Sequence, residues 1–279
     1  MKKYFALFAT LAVTIGILSG CGTSNETPTP ETTGDTAERT TFTVGFDAEY
    51  PPYGYKNDAG EYVGFDLDLA QEVCDRNGWE LKKQPLDWTS KDMELNSGTV
   101  DCLWNGFTIT GRESEYTFSK PYVDNSIVFV VRTDADIQKK SDLAGKTVIT
   151  QAGSSALAAL TNEEDNEENL ALAASFATLE QTPDYNTAFM NLEAGSVDAI
   201  AVDIGVAQYH LTNGSDKFRK LDEPLSTEQY GIAFKLGNET LRDQVQTTLD
   251  EMVTDGTFDK IAANYADYSL DQMVCLGKE

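Results

Sequence analysis

The residues of this chain that could do chemistry stand where predicted strands end. Arg112 closes the segment NGFTITGR (105 to 112) and is one of only six arginines in a chain whose formal net charge is −25. A guanidinium in this position can bind a carboxylate through two parallel N–H···O bonds. For an arginine considered alone, a surface ion pair with Glu113 or Glu115 is the simpler explanation. The choice depends on what stands at the other strand ends.

Those other strand ends carry hydroxyls, carboxylates, amides and aromatic rings. They are Asp47, Tyr50, Tyr53, Trp88, Asn105, Gly106, Thr108, Gln151, Ser155 and Asp203. In open α/β sheets a ligand lies beyond the carboxyl ends of the strands, beside helix N-termini. Thr108 and the N–H groups near Ser155 can help an arginine to hold a carboxylate, and Asp203 can accept from an ammonium group. The set therefore suits a zwitterion.

Each of these residues also has a purely structural explanation. Asp203 could cap the helix that follows it. The aromatic residues Tyr50, Tyr53 and Trp88 could be ordinary core side chains, rather than the walls of a pocket that stacks on a ligand or attracts a cation. Their joint placement at strand ends favours the ligand-binding interpretation.

The elements that position these residues follow an alternating pattern. From Phe42 onward, β-rich runs alternate with helical runs, which is typical of a parallel or mixed sheet flanked by helices. Asp66 is predicted to cap the first helix, which Gly78 ends. The predicted strands are 41–46, 79–84, 99–106, 126–132, 146–151, 175–179, 196–203 and 229–235. Further helices are predicted from 89 or 90, from 153 to 155 and from Thr182, and over 204–211, 241–253 and 258–265.

The length beyond the N-terminal region suffices for two compact cores. Residues 42 to 279 number about 238, more than one core usually takes. The order of elements predicts that the chain starts in one lobe, completes the other and returns. We predict one lobe from 42–124 with 229–279, a second from 125–228, and a two-segment hinge between them.

The N-terminus has the pattern of a secretory signal. Two lysines precede an apolar run that ends in LSGC (18 to 21), which resembles the bacterial lipobox, where cleavage makes Cys21 the lipidated first residue. An uncleaved membrane helix is the alternative, but the run is shorter than the about 20 residues that cross a bilayer. Residues 1–20 are thus a predicted lipoprotein signal peptide, and 21–41, with almost no apolar side chains, a predicted disordered tether.

Charge and cysteine usage argue against several classes of partner. Loss of Lys2 and Lys3 with the signal peptide changes the formal net charge from −25 to −27, which makes nucleic acid and anionic lipid headgroups poor partners. A single histidine, His210, and the absence of a CxxC motif argue against a zinc site, and no cofactor is expected. Cys74 and Cys102 are predicted as two buried thiols, with a disulfide between them as the alternative.

Several stretches match one family in collinear order. They are DAEYPPYGY (47 to 55), GEYVGFDLDLAQEV (60 to 73), NGFTITGRESEYTFSKPY (105 to 122) and QYGIAF (229 to 234). From Phe42 to about Asp267 the chain resembles the solute-binding proteins of polar amino acid ABC importers. The resemblance implies an α/β, two-lobed, periplasmic-binding-protein-like fold of type II, each lobe a mixed sheet flanked by helices. Such a protein closes over one free amino acid and delivers it to a membrane permease.

The resemblance also implies roles for the candidate residues. Arg112 corresponds to the arginine that binds the α-carboxylate, with Thr108 and the backbone at Gly106 and Ser155 assisting. Asp203 corresponds to the residue that binds the α-ammonium group.

The remaining candidates correspond to positions around the ligand side chain. Asp47, Tyr50 and Trp88 match pocket positions, whereas Asn105 and Gln151 stand where relatives often carry other residues and contribute to substrate choice. Asp47 suits an amide, an imidazole or a cation. This indicates a neutral polar or basic amino acid, since no lysine or second arginine stands at these strand ends to hold an acidic one.

Together with the lipobox-like LSGC, the resemblance implies a non-enzymatic, palmitate-bearing monomer of Gram-positive type, held on the outer face of the cell membrane by its lipid alone. Two alternatives belong to other classes. The fold also hosts dehydratase-type enzymes, in which Asp47 or Asp203 could be a general acid, although neither has an obvious acid/base partner. A lipid-anchored co-receptor that senses a ligand is the second alternative.

Overall fold

The computed structural model describes residues 39–162, 166–214 and 216–278. The predicted signal peptide, Cys21 and the tether as far as residue 38 lie outside the described residues. Within the described ranges, none of the helices has the length and apolar character that crossing a membrane requires.

Strands and helices alternate along the chain, as the sequence pattern indicates. In chain order the strands are β1 (Thr41–Phe46), β2 (Glu49–Tyr50), β3 (Gly54–Lys56), β4 (Tyr62–Val63), β5 (Glu80–Pro85), β6 (Cys102–Leu103), β7 (Tyr116–Phe118), β8 (Val123–Arg132), β9 (Thr147–Gln151), β10 (Thr178–Thr182), β11 (Ala199–Asp203), β12 (Phe218–Lys220), β13 (Ser226–Tyr230) and β14 (Ala233–Lys235). The α-helices are α1 (Phe65–Asn77), α2 (Lys91–Ser97), α3 (Ser155–Thr161), α4 (Glu167–Ser175), α5 (Tyr185–Ala194), α6 (Ile204–Gly214), α7 (Glu239–Thr254), α8 (Thr257–Ala263) and α9 (Leu270–Met273).

The sheet of the first lobe has the strand order β5-β1-β6-β14-β7 and is mixed. β1 runs parallel to β5 and β6, whereas β14 is antiparallel to β6 and β7. Phe42 and Val44 of β1 belong to the buried cluster that α1 and α7 join, and Leu103 of β6 packs with Leu95 of α2 in a separate cluster. Helices therefore cover both faces of this sheet.

The sheet of the second lobe has the order β10-β9-β11-β8-β12, with β13 also paired to β8. β9 is parallel to β10 and β11, and β8 is antiparallel to its neighbours. Leu160 of α3 and Leu192 of α5 belong to two different buried clusters, so helices cover this sheet on both faces as well. Two mixed sheets flanked by helices confirm the predicted fold class.

The two segments that cross between the lobes lie side by side. β8 and β13 pair antiparallel, from Val123 opposite Tyr230 to Ile127 opposite Ser226. Next to this pair, the N–H of Tyr122 donates to the carbonyl of Tyr230 at 2.9 Å. The predicted lobe boundaries, 124/125 and 228/229, fall within these two paired strands.

The structure corrects the predicted cap of α1. Asp66 lies inside the first turn, and the helix begins after Gly64. The N–H groups of Phe65 and Asp66 donate to the carbonyls of Pro52 and Tyr53, at 2.9 and 3.1 Å, so the first turn needs no side-chain cap. The Asp66 carboxylate is therefore available for other partners.

Other predicted elements differ in extent. The strand predicted over 99–106 is confined to Cys102–Leu103, and the chain turns at Gly106 with a positive φ of 57°. The run predicted over 229–235 divides at Gly231 into β13 and β14. α5 is capped by Asp184, whose carboxylate accepts from the N–H of Thr187 at 2.7 Å, rather than by Thr182. Cys74 and Cys102 are buried, free thiols.

Gly64→Ala tests the turn that leads into α1. Gly64 has φ 138°, and a Cβ atom there would lie 2.2 Å from the carbonyl oxygen of Tyr53. Because this oxygen belongs to the backbone, we expect the free energy of unfolding to fall by about 3 kcal/mol. Gly78→Ala is the matched control, since Gly78 has φ 69° but nothing within 4 Å of its Cβ position, and should cost about 1 kcal/mol. Urea denaturation measures both losses, and equal losses would contradict the steric argument.

Candidate functional site

A cleft is lined by residues from both lobes. Its lining consists of Tyr50, Trp88, Gly106, Thr108, Arg112, Gln151, Ser154, Ser155 and Asp203. All the candidate residues from the sequence are in this set except Asp47, Tyr53 and Asn105. The cavity that these residues enclose has a volume of about 10 Å³. This is the room that a single water molecule needs, so an amino acid can enter only if the lobes separate.

Arg112 brings an unpaired cation to the cleft. The carbon at the centre of its guanidinium group lies 4.8 Å from the ring centroid of Phe107. Among the described residues it forms no ion pair, so the surface pair with Glu113 or Glu115 is not made. A ring beneath the guanidinium plane leaves its N–H edge free for a carboxylate.

Asp203 is a buried carboxylate at the end of β11, with 2 % of its surface exposed. It accepts from Asn125 Nδ2 at 2.7 Å and from the hydroxyl of Tyr230 at 2.6 Å. These partners are side chains rather than N–H groups of α6, so its carboxylate does not serve as a helix cap.

Asp47 joins the lobes across the cleft. Its Oδ2 accepts from Gln151 Nε2 at 2.5 Å, and its Oδ1 accepts from the N–H of Glu49 at 2.8 Å. Burial raises the pKa of Asp47 to about 6 against the opposing effect of these hydrogen bonds. Asn105 Oδ1 accepts from the N–H of Asp47 at 3.0 Å. Asn105 thus positions Asp47 from behind the cleft, instead of lining it as expected.

Gly106 lines the cleft, but its expected role needs correction. Its N–H donates to Asp66 Oδ2 at 2.7 Å, so the donor that the resemblance offered to a ligand carboxylate is already used. The same carboxylate accepts from the hydroxyl of Tyr122. A side chain on Gly106 would meet the ring of Tyr230 at 2.9 Å and that of Tyr50 at 3.1 Å. The glycine is therefore required by close packing.

Two of the three candidate aromatic residues form walls of the cleft. Tyr50 and Trp88 are 7 and 8 % exposed, and the hydroxyl of Tyr50 lies 3.3 Å from that of Tyr230. Tyr53 is fully buried, and its ring centroid lies 5.7 Å from that of Tyr50. Tyr50 and Trp88 can contact a ligand, whereas Tyr53 is the supporting core aromatic that the structural explanation describes.

Glu228 is a functional candidate that the sequence reading missed. It lies on β13, is 9 % exposed, and its Oε1 accepts from Thr108 Oγ1 and Asn125 Nδ2, both at 2.8 Å, and from Ser155 Oγ at 3.2 Å. Burial, followed by repulsion from Asp203, raises its pKa to about 7. Period-two alternation places it on the same face as Tyr230. The predicted strand began at residue 229, so this alternation was not applied to Glu228.

Lys91 is a second cation beside the cleft. It is 7 % exposed, and its Nζ lies 5.5 Å from the ring centroid of Trp88 and 3.8 Å from the carboxylate of Asp92. A Cβ atom at Gly153, next to the cleft-lining Ser154, would be 3.6 Å from this Nζ. Lys91 is not at a strand end, where the sequence analysis looked for a lysine, but α2 places it beside Trp88, which lines the cleft.

The single histidine does not line the cleft. His210 stacks on Phe189 with ring centroids 3.8 Å apart, and burial lowers its pKa to about 4. In the part of the chain that the structure describes, no three His, Cys, Asp or Glu side chains are grouped to hold a metal ion. His210 is thus a neutral packing residue at physiological pH.

Two α/β lobes, with an unpaired arginine and a buried carboxylate in the cleft that both lobes line, define a solute-binding protein by architecture. Residues 42–268 match the bacterial extracellular solute-binding proteins, family 3, and the chain belongs to that family.

Individual relatives differ in the ligands that their names state. The L-cystine-binding protein TcyJ of Escherichia coli K12 is 29 % identical over 82 % of this chain and 83 % of its own. A substrate-binding protein of an ABC uptake transporter from Streptococcus pneumoniae, solved with bound histidine, is 30 % identical with a TM-score of 0.76, over 81 % of this chain and 92 % of its own. An ancestral arginine-binding protein bound to glutamine is 33 % identical with a TM-score of 0.73, over 81 % of this chain and 98 % of its own.

Acidification is expected to stabilise the ligand-free protein. The pKa values of Asp66 and Glu228 are raised to about 7 and that of Asp47 to about 6, mainly by burial. These carboxyl groups bind protons more readily in the folded protein than in the unfolded chain. At pH 7.5 they therefore lower the free energy of unfolding, and this loss is reversed as the pH falls through their pKa values. His210, with its lowered pKa, acts in the opposite direction below about pH 6.5, but as one group against three.

We expect the free energy of unfolding to be about 2 kcal/mol higher at pH 5.5 than at pH 7.5. Urea denaturation at the two pH values measures the difference. A protein that is less stable at pH 5.5 would contradict the assigned burial of these carboxyls.

Proposed function

We propose that this protein captures a polar amino acid, neutral or basic, outside the cell and delivers it to an ABC importer. The observation that carries the proposal is the unpaired guanidinium of Arg112 in a cleft that Asp203 also lines. A zwitterion presents a carboxylate and an ammonium group, which match these two side chains. Membership of the solute-binding family supports the transport role.

In the proposed complex, Arg112 binds the α-carboxylate through two N–H···O bonds, helped by the hydroxyl of Thr108 and the N–H groups at the start of α3 near Ser155. Asp203 accepts from the α-ammonium group. The ligand side chain extends between Tyr50 and Trp88.

Selectivity in this proposal comes from the Asp47 and Gln151 pair. Asp47 offers a carboxylate to an amide, an imidazole or a cation, and Gln151 offers an amide that can donate or accept. Because Lys91 lies nearby, the preference for neutral and basic side chains rests on Asp47 alone. Asn105 contributes by holding Asp47 in place.

Closure about a hinge is the proposed mechanism. The lobes are 42–124 with 229–279 and 125–228, and the paired strands β8 and β13 connect them. The first lobe, with Arg112 and the aromatic walls, binds the ligand first, and the second brings Asp203, Gln151 and Ser155 onto it. The small size of the cleft supports a cycle of opening and closing.

We further propose that the protein is not an enzyme, and that it works as a monomer anchored by a palmitate-bearing lipid on Cys21 at the outer face of a membrane. The carboxylates Asp47 and Asp203 are held by amide and hydroxyl donors rather than by an acid/base partner, which supports binding over dehydratase chemistry.

A thermal-shift screen over the twenty amino acids, with cystine and ornithine added, tests the proposed function. A ligand at 100 times its dissociation constant stabilises the folded protein by about 2.7 kcal/mol. We expect shifts with neutral polar or basic amino acids and none with aspartate or glutamate. Absence of a shift with every compound would refute amino acid binding.

Arg112→Ala should weaken binding of the amino acid identified in that screen by about 2 to 5 kcal/mol, because a buried carboxylate loses its main partner. Arg112→Lys keeps the charge but not the planar pair of donors and should give an intermediate loss. Arg76→Ala is the control, since Arg76 pairs with Glu72 and Asp255 at the surface. Isothermal titration calorimetry measures all three, and unchanged affinity in Arg112→Ala would remove this residue from the site.

Cys21→Ser tests the proposed anchor. Expressed with its own signal in a Gram-positive host, the unaltered protein should partition into the detergent phase of Triton X-114 and carry a diacylglyceryl group detectable by mass spectrometry. The variant lacks the thiol that receives the lipid, so it should lose that mass and leave the detergent phase. Cys275→Ser serves as control, and a variant at Cys21 that still carries lipid would exclude this anchor.

A further inference from the structure

Glu228 stands where both lobes and both crossing strands meet. Its Oε1 accepts from Thr108 Oγ1, Asn125 Nδ2 and Ser155 Oγ, at 2.8, 2.8 and 3.2 Å. Thr108 belongs to the first lobe, Ser155 begins α3 in the second, and Asn125 lies on β8. The carboxylate itself comes from β13. One oxygen atom therefore accepts hydrogen bonds from both lobes.

One of these donors, the hydroxyl of Thr108, also serves the ligand in the proposed function, and a second, the hydroxyl of Ser155, lies beside N–H groups that serve it. The hydroxyl of Thr108, and the start of α3 at Ser155, are groups that would help Arg112 to hold the α-carboxylate. In the structure their hydroxyls are directed to Glu228 instead. A carboxylate of the protein thus takes hydrogen bonds at the place where the ligand would bring a carboxylate of its own.

Two ionised carboxylates that share donors in a buried site repel each other strongly. We propose, building on the proposed function, that the Glu228 carboxylate competes with the ligand carboxylate. In the closed cleft Glu228 accepts the hydrogen bonds of the hydroxyl donors and so limits the affinity of the site for the ligand. Ligand binding requires Glu228 either to give up these donors or to take up a proton. Since Thr108 and Glu228 lie on different lobes, the bond between them also holds the lobes together when no ligand is bound.

The surroundings of Glu228 favour proton uptake. Among the described residues, the charged groups near Glu228 are Asp203 on β11, which shares Asn125 with it, and Arg112 and Glu115 along the groove that Glu228 also lines. The tyrosines of this region, Tyr53, Tyr185 and Tyr230, remain neutral because burial raises their pKa. Burial and the nearby Asp203 raise the pKa of Glu228 to about 7.

A protonated Glu228 no longer repels the ligand and can donate its proton to the ligand carboxylate. The fraction in this form grows as the pH falls through 7. Affinity of the unaltered protein should therefore rise by about tenfold from pH 8.5 to pH 6.5, since one pKa unit corresponds to a tenfold change. This range stays above the pKa of Asp47, about 6, whose protonation would weaken side-chain recognition.

Glu228→Gln tests the competition, because the amide has nearly the same shape but no charge. Calorimetric titration with the amino acid of the largest thermal shift should give binding about tenfold tighter than in the unaltered protein at pH 8.5. It should also give an affinity that stays constant down to pH 6.5. Glu115→Gln, in the same groove but without bonds to Thr108 or Ser155, is the matched control and should keep the affinity and pH profile of the unaltered protein.

The other possible results distinguish a failure of this inference from a failure of the proposed function. If Glu228→Gln binds more weakly at every pH, Glu228 is an acceptor for the ligand ammonium group beside Asp203, and the competition proposed here is wrong. Unchanged affinity overturns it as well. Circular dichroism and the melting temperature verify folding, and Glu228→Ala, which also removes the competing charge, should bind more tightly at pH 8.5. If the unaltered protein binds no amino acid at all, the proposed function fails and this inference fails with it.

Discussion

A buried carboxylate needs hydrogen-bond donors, and this requirement organises the centre of the molecule. Asp66 is fully buried and obtains the N–H of Gly106 and the hydroxyl of Tyr122. Asp203 and Glu228 are both served by Asn125 of β8. These bonds link residues far apart in sequence. They fix the turn around Gly106, the crossing strands and the cleft walls relative to one another.

Arg112 stands apart from this network. The structure satisfies the acidic groups of the cleft with amides and hydroxyls, and leaves the guanidinium over an aromatic ring instead of in an ion pair. An ion pair formed within the protein would have to break before Arg112 could bind a ligand carboxylate. Because amides and hydroxyls satisfy the carboxylates of the cleft, the guanidinium of Arg112 keeps its positive charge free of an ion pair among the described residues.

The sequence predicted the elements and most of the cleft lining for a simple geometric reason. Parallel strands end at one edge of a sheet, so polar residues at those ends, such as Gln151 and Asp203, meet there without knowledge of the packing. Short-range patterns were less reliable at element ends. Asp66 has the form of a helix cap, but its role depends on Gly106, forty residues away.

Periodicity along the chain thus indicated the alternating α/β pattern, and the collinear resemblance of several stretches indicated the two-lobed fold and the family, because both depend on order and spacing within the sequence. Tertiary structure decided which groups are already engaged. Only packing brings Lys91 beside Gly153, gives the N–H of Gly106 to Asp66, and directs Thr108 and Ser155 to Glu228. Hydrogen bonds across a hinge join residues that no sequence spacing relates, so their partners become known only when the lobes are seen together.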